Sequence, residues 1–166
     1  YKRQVLESLL TSQILTIGFV FTAIMIMFIF LFRSIKFALI AIIPSIIASS
    51  SVLGLMGLVG IPLDIMTITI AAICIGIGVD HSIHYVHRFR EEVIEQSDTK
   101  IVIKNCHNST GQAIYFTSLI IIIGFSILAF SNFVPTIYFG LFTAFAMLLA
   151  LFSNLTLLPV LLMKLR

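Results

Sequence analysis

The sequence has no tryptophan and very little charge: only 10% of its 166 residues are Asp, Glu, Lys or Arg. Soluble domains carry about 25% charged residues, so a water-soluble globule is excluded. Between Lys104 and Lys164 there is no formally charged residue at all. Two cysteines, Cys74 and Cys106, are too few for a disulfide framework and are read as free thiols. No cleavage-like site follows the first apolar run, so no secretory signal peptide is expected. The chain does not begin with Met and is expected to be a piece of something longer. A phosphate-cradling loop is also missing, because Gly76-Ile77-Gly78 runs into Val79-Asp80 inside an apolar stretch rather than from a strand into a helix. No nucleophile–base arrangement stands out, and no basic cluster is large enough for nucleic acid. The expectation is therefore a protein that is not an enzyme, with no cofactor and no resident metal.

What is present is apolar. Hydrophobic residues make up 60% of the chain and the mean hydropathy is +1.16. A bilayer core about 30 Å thick takes about 20 apolar residues as a helix. Five stretches qualify, at about 12–32, 37–60, 65–87, 111–131 and 137–163. Together they predict an all-α membrane protein, a single transmembrane domain over 1–166 built as a five-helix bundle. The polar residues 88–110 form a connector, in which Asp98 is placed to cap a short helix over about 99–109. Ser131-Asn132-Phe133-Val134-Pro135 supplies the break between the last two spans.

Lys and Arg placement sets the orientation. Arg33 and Lys36 lie between spans one and two. Arg88, Arg90, Lys100 and Lys104 lie between spans three and four, and Lys164 and Arg166 follow span five. Residues 61–64 and the last interhelical turn carry no cation; only Lys2 and Arg3, well before the first span, depart from the alternation. The expected topology has the N-terminus outside, with the connector and the C-terminus in the cytoplasm. The expected location is a bacterial cytoplasmic (inner) membrane.

Small residues and a proline are placed where helices could approach or bend. Pro44 lies inside span two with Ser49-Ser50-Ser51 after it. Gly54 and Gly57 in span two, and Gly76 and Gly78 in span three, are read as helix-packing positions.

One residue is costly. Asp80 lies eight residues before Arg88, about 12 Å inside the boundary at 1.5 Å per residue. An ionised acid at the centre of a membrane helix costs about 2.5–3.5 kcal/mol on insertion scales, and such residues usually face the bundle interior and pair, relay protons or bind ions. Histidines follow at once, in Asp80-His81-Ser82-Ile83-His84-Tyr85-Val86-His87. On a helix Gly76, Asp80, His84 and His87 share one stripe, while His81 points about 100° away. Imidazole titrates near neutrality, so Asp80, His84 and His81 are candidate proton-relay residues, with Thr117 or Ser118 of span four as a hydroxyl partner. A metal shared by His84 and His87 is a weaker alternative, since no further ligands accompany them. Ser126, Thr143, Asn154 and Thr156 are read as interhelical hydrogen-bonding groups.

With these residues in order, the sequence resembles the resistance–nodulation–division (RND) superfamily, and within it the MMPL-type exporters related to Patched and sterol-sensing domains. The resemblance rests on Phe32-Arg33-Ser34, Pro44, Gly57-Leu58-Val59-Gly60-Ile61-Pro62-Leu63-Asp64, and above all Gly76-Ile77-Gly78-Val79-Asp80 running into His84-Tyr85-Val86-His87-Arg88-Phe89-Arg90-Glu91-Glu92. Thr117-Ser118, Gly124-Phe125, Phe139-Gly140 and Leu158-Pro159 follow in order. It implies a larger two-half transporter, of which this chain looks like the last five helices of the carboxyl half. It also implies that Asp80 belongs to a proton-relay centre meeting its counterpart from the other half. His81 stands where many such exporters carry Tyr, and the intramembrane Lys or Arg of the multidrug branch has no equivalent here.

The resemblance implies a proton-motive-force-driven exporter of hydrophobic or amphiphilic molecules, lipids first among them. The alternatives are a non-pumping sterol- or lipid-sensing membrane module and, more weakly, metal-ion efflux. Expected partners are membrane lipids, the other half with its extracytoplasmic domains and a lipid-like substrate; nucleic acid is not among them, and oligomerisation is left open.

Overall fold

A computed structural model describes the backbone of residues 2–61 and 65–165 and the side chains of 11, 12, 14–61 and 69–165. Residues 62–64 of the second turn, and the side chains of Lys2 and Arg3, lie outside the described residues. Lipid offers the backbone no hydrogen bonds, so a spanning segment must satisfy its own N–H and C=O groups. Among the described residues every regular element is accordingly helical: α1 (Lys2–Phe32), α2 (Ile35–Val59), α3 (Ile65–Glu95), α4 (Thr99–Cys106), α5 (Gln112–Ile127), α6 (Val134–Phe152) and α7 (Leu158–Leu165). A π-helical turn, His107–Gly111, joins α4 to α5, and a second, Ser153–Leu157, joins α6 to α7. The result is five continuous apolar rods, Ile14–Phe32, Ile35–Val59, Thr69–Glu95, Thr99–Phe130 and Val134–Leu165, each long enough to cross a bilayer.

The breaks follow local chemistry. Between α1 and α2, Arg33 takes a left-handed conformation (φ 50°), and its N–H donates to the Ile29 carbonyl (2.8 Å). Gly60, also left-handed (φ 74°), ends α2. Ser131 Oγ accepts from Phe133 N–H (3.2 Å), and Pro135 sits in the first turn of α6, where its missing N–H is not needed. Asp98 caps α4 by accepting from Lys100 N–H (2.9 Å).

The connector is shorter as a loop than the sequence suggests. α3 continues past His87 to Glu95, because Arg88 pairs with Glu91 (3.7 Å) and with Glu92 one turn on. The capped helix α4 then runs straight into the fourth rod.

α2 lies at the centre, against α1, α3, α6 and α7; α3 also packs on α6 and α4, and α5 packs mainly on α6. Two apolar cores stack along the bundle. One gathers Phe28, Phe32, Tyr85, Phe89, Val102 and Leu162 at the end bearing the connector. The other gathers Val52, Met56, Ile70, Cys74 and Met147 towards the opposite end. Pro44 is buried within α2 without interrupting it.

Close helix contact falls at only some of the glycines singled out by sequence. A Cβ on Gly78 would lie 2.8 Å from Ser45 Oγ, so α2 and α3 touch there. Gly54, Gly57 and Gly76 have nothing within 4 Å of that position. They are exposed, on faces that no described residue covers. Gly140 is the missed one: its Cβ would stand 2.6 Å from the Phe125 carbonyl, which draws α5 and α6 together.

Candidate functional site

The period of α3 separates two sets of polar residues. Gly76, Asp80, His84 and His87 form one exposed stripe, and Ser82, Tyr85 and Phe89 are buried on the other side. The acid is thus not enclosed by these five helices. The bundle interior at its level is taken by Val79 and Ser82, and the Asp80 side chain is 65% exposed.

Asp80 is nonetheless beside a neighbouring helix. α3 and the fourth rod meet through the π turn at the connector end. A groove of about 630 Å³ opens between them, lined by Asp80, His81, His84 and Arg88 on one wall and Ser109, Thr110 and Thr117 on the other. His84 Nε2 lies 3.5 Å from Asp80 Oδ1. Protonated, it is an ion-pair partner for the carboxylate; neutral, it is a proton acceptor one helical turn away. His81 is 3% exposed, and neither ring nitrogen has a hydrogen-bond partner among the described residues.

The two span-four hydroxyls part company. Thr117 lines the groove and donates to the Ala113 carbonyl (2.8 Å), so its hydroxyl proton is used within its own helix. Ser118, one residue on, is fully buried and outside the groove lining. Ser109 and Thr110 were not singled out from sequence, although Thr110, Ala113 and Thr117 have the i, i+3, i+7 spacing of one helical face. His87 sits beyond the groove, 3.5 Å from Glu91, and the described residues contain no group of three or more His, Cys, Asp or Glu able to hold a metal.

Apart from His81, the buried face of α3 has polar chemistry of its own, with partners on other helices of the chain. Ser82 Oγ donates to Asn154 Oδ1 (2.9 Å), and Asn154 Nδ2 donates to the Ala150 carbonyl (2.9 Å). His107, which opens the first π turn, reaches across two interfaces. Its Nε2 is 3.0 Å from the Leu155 carbonyl in the second π turn, and its Nδ1 is 2.9 Å from the Tyr85 hydroxyl. A carbonyl can only accept, so Nε2 donates to Leu155, while Nδ1 lies within reach of both the Tyr85 hydroxyl and the Ile103 carbonyl (3.2 Å). One imidazole thus ties the connector to α3 and to the last rod.

Five apolar helical rods, with a carboxylate and an imidazole on the wall of one groove, define a polytopic helical membrane protein. The profile of the MMPL family matches residues 6–165, and the chain belongs to that family. It is 31% identical over 146 residues, 88% of its length, to membrane protein MJ1562 of Methanocaldococcus jannaschii, covering 37% of that protein. It is 30% identical over 132 residues, 76% of its length, to membrane protein YdgH of Bacillus subtilis, covering 14% of it. It is 26% identical over 88 residues, 49% of its length, to the trehalose monomycolate exporter MmpL3 of Mycolicibacterium smegmatis, covering 9% of it. The chain therefore spans well under half the length of these relatives.

Proposed function

We propose that this chain is the membrane-embedded, proton-coupled part of an exporter of hydrophobic or amphiphilic molecules, lipids being the favoured class. Membership of the MMPL family supports the transport class, and the trehalose monomycolate exporter among its relatives supports the lipid class. The observation that carries the coupling is the Asp80–His84 pair, 3.5 Å apart on the wall of a groove no helix of this chain closes.

Two states of that pair differ by the position of one proton. With the proton on His84 the pair is imidazolium and carboxylate, which polar surroundings favour. With the proton moved to Asp80 both groups are neutral, and apolar surroundings accept them at far lower cost. Drying the groove would favour the pair that has taken up one proton from water over the bare Asp80 carboxylate beside a neutral His84, and wetting it would let that proton go back to water. Ser109, Thr110 and Thr117 can hold the water that carries it, and His81 is a second acceptor behind Asp80. Ser118, buried off the groove, is left out of the relay. One charge crossing 100 mV supplies about 2.3 kcal/mol. The cation-bearing end, with Arg33, Lys36, Arg88, Arg90, Lys100 and Lys104, faces the cytoplasm by the positive-inside rule, so the groove opens to that side.

An acid on an open face needs covering, since lipid contact would cost it about 2.5–3.5 kcal/mol. The covering element is the other half of the transporter, beyond this chain. The test is transport by the full-length protein in proteoliposomes under an imposed proton gradient. Asp80→Asn should reduce gradient-driven export to background while leaving the protein folded. Full activity in that variant removes Asp80 from the mechanism, and export that ignores the gradient in the parent protein favours a lipid-sensing module instead.

A further inference from the structure

At the connector end the structure holds a second groove, of about 510 Å³, away from Asp80. Leu31 and Phe37 line one side, and His87, Arg90, Val93 and Ile94 of α3 line the other. Its floor is apolar and partly open: Leu31 is 44% exposed and Ile94 86%. Its head is cationic and held in place. Arg90 Nη1 donates to the Phe32 carbonyl (2.9 Å), one of the carbonyls that the end of α1 leaves without an intrahelical partner. The Arg90 guanidinium also lies 5.5 Å from the centroid of the Phe37 ring. The guanidinium is thereby fixed between residues whose chain neighbours, Arg33 and Lys36, are both exposed cations.

A second observation concerns Arg33 itself. It is the one non-glycine residue with positive φ among the described residues (φ 50°). Glycine takes this conformation freely, whereas a side chain resists it. A cation therefore stands where the turn alone would favour glycine, and a strained position of this kind points to a use for the side chain. The one acid on the groove wall, Glu91, is turned to His87 (3.5 Å) and Arg88 (3.7 Å). Arg90 is thus the groove-wall cation left without an acid partner among the described residues, and Arg33 and Lys36 add two exposed cations in the adjoining α1–α2 turn.

We infer that this joint of α1, α2 and α3 is a binding site for one anionic phospholipid of the leaflet it faces. The phosphate sits among Arg90, Arg33 and Lys36, and an acyl chain lies along Leu31, Phe37 and Ile94. The geometry favours a lipid over a soluble anion because Arg90 borders an apolar trough at the level where span one ends at Phe32 and span two begins at Ile35, with Arg33 and Lys36 in the turn between or beside them. The occupant would brace the end of α3, the helix that carries Asp80, against the α1–α2 turn. The site does not depend on the proton relay, so Asp80→Asn should leave it intact.

The full-length protein should be placed in nanodiscs of phosphatidylcholine with a minor share of spin-labelled phosphatidylglycerol, and the motionally restricted label counted. Phosphatidylglycerol should be enriched at the protein over equally labelled phosphatidylcholine, and the enrichment should weaken with salt. A Lys or Arg near an anionic surface is worth about fivefold in binding. The Arg33→Gln/Lys36→Gln pair, both exposed and outside the core, should therefore lower the enrichment about tenfold or more. Arg90→Gln should lower it as well, and because that change can also loosen the α1 end, the double variant decides. Equal retention of the two lipids, an unchanged double variant, or displacement of the label by inorganic phosphate would each overturn the proposal.

Discussion

On one side of α3, Gly78 touches Ser45 of α2, Ser82 bonds Asn154 of the second π turn and Tyr85 bonds His107. On the other side, two, two and one residues away in sequence, Gly76 meets nothing, Asp80 has only His84 at 3.5 Å and His84 is 66% exposed. The residues match in kind: a glycine, a polar group and a ring with a titratable or hydroxyl tip. What differs is whether this chain supplies their partners. Polar groups satisfied at home hold the five rods in register. Those left over on the exposed face have no partner on another described helix, which is why the proposed relay is assigned to the open side.

The largest way to break that comparison is to exchange the polar groups. Asp80→Asn should abolish gradient-driven export and barely change the unfolding of the full-length protein. Ser82→Ala should do the reverse, lowering stability by about 0.5–1.5 kcal/mol with export retained. The two buried thiols, Cys74 and Cys106, make a built-in probe, since they become reactive to a maleimide dye only as the helices part. If Ser82→Ala were the variant that stops export, the division between the two faces would be wrong.

Next in size is Gly78→Leu. Its new Cβ would start 2.8 Å from Ser45 Oγ, and the rest of the side chain has nowhere to go without parting α2 from α3. Overpacking of this kind costs about 1–3 kcal/mol, read as a lower midpoint for thiol exposure. Smaller again is Tyr85→Phe. It removes one hydroxyl from His107 and should cost about 0.5–1.5 kcal/mol, while the Leu155 contact of His107 persists.

How much of this was legible beforehand depends on the kind of signal. The five spans follow from hydropathy because lipid forces helices, and the stripe from Gly76 to His87 follows from 3.6 residues per turn. Which side of α3 would be covered was not legible. Lipid is as apolar as a helix interface, so residues such as Ile70 and Ile120, one fully buried and the other 70% exposed, look alike in sequence. Gly76 and Gly78 are likewise indistinguishable until a neighbour is placed. His107 escaped notice because it sits in a polar connector, and its role depends on two π turns that no residue pattern announces. Ser118 and Thr117 share a type and a span; only the rotation of α5 separates them.

The smallest expected effect gives the sharpest reading of the open face. Gly76→Leu has nothing within 4 Å of its first added atom, so within these five helices it should change stability by less than about 0.5 kcal/mol. The midpoint for Cys74 exposure should therefore stay put, because that thiol belongs to the core this face does not touch. Export by the full-length protein should fall all the same, since a branched side chain one turn from Asp80 would hold off whatever closes over the acid. A variant that is normal in both respects would mean that no protein packs closely on the Gly76–Asp80 stripe, and the carboxylate would then have to be served by water alone.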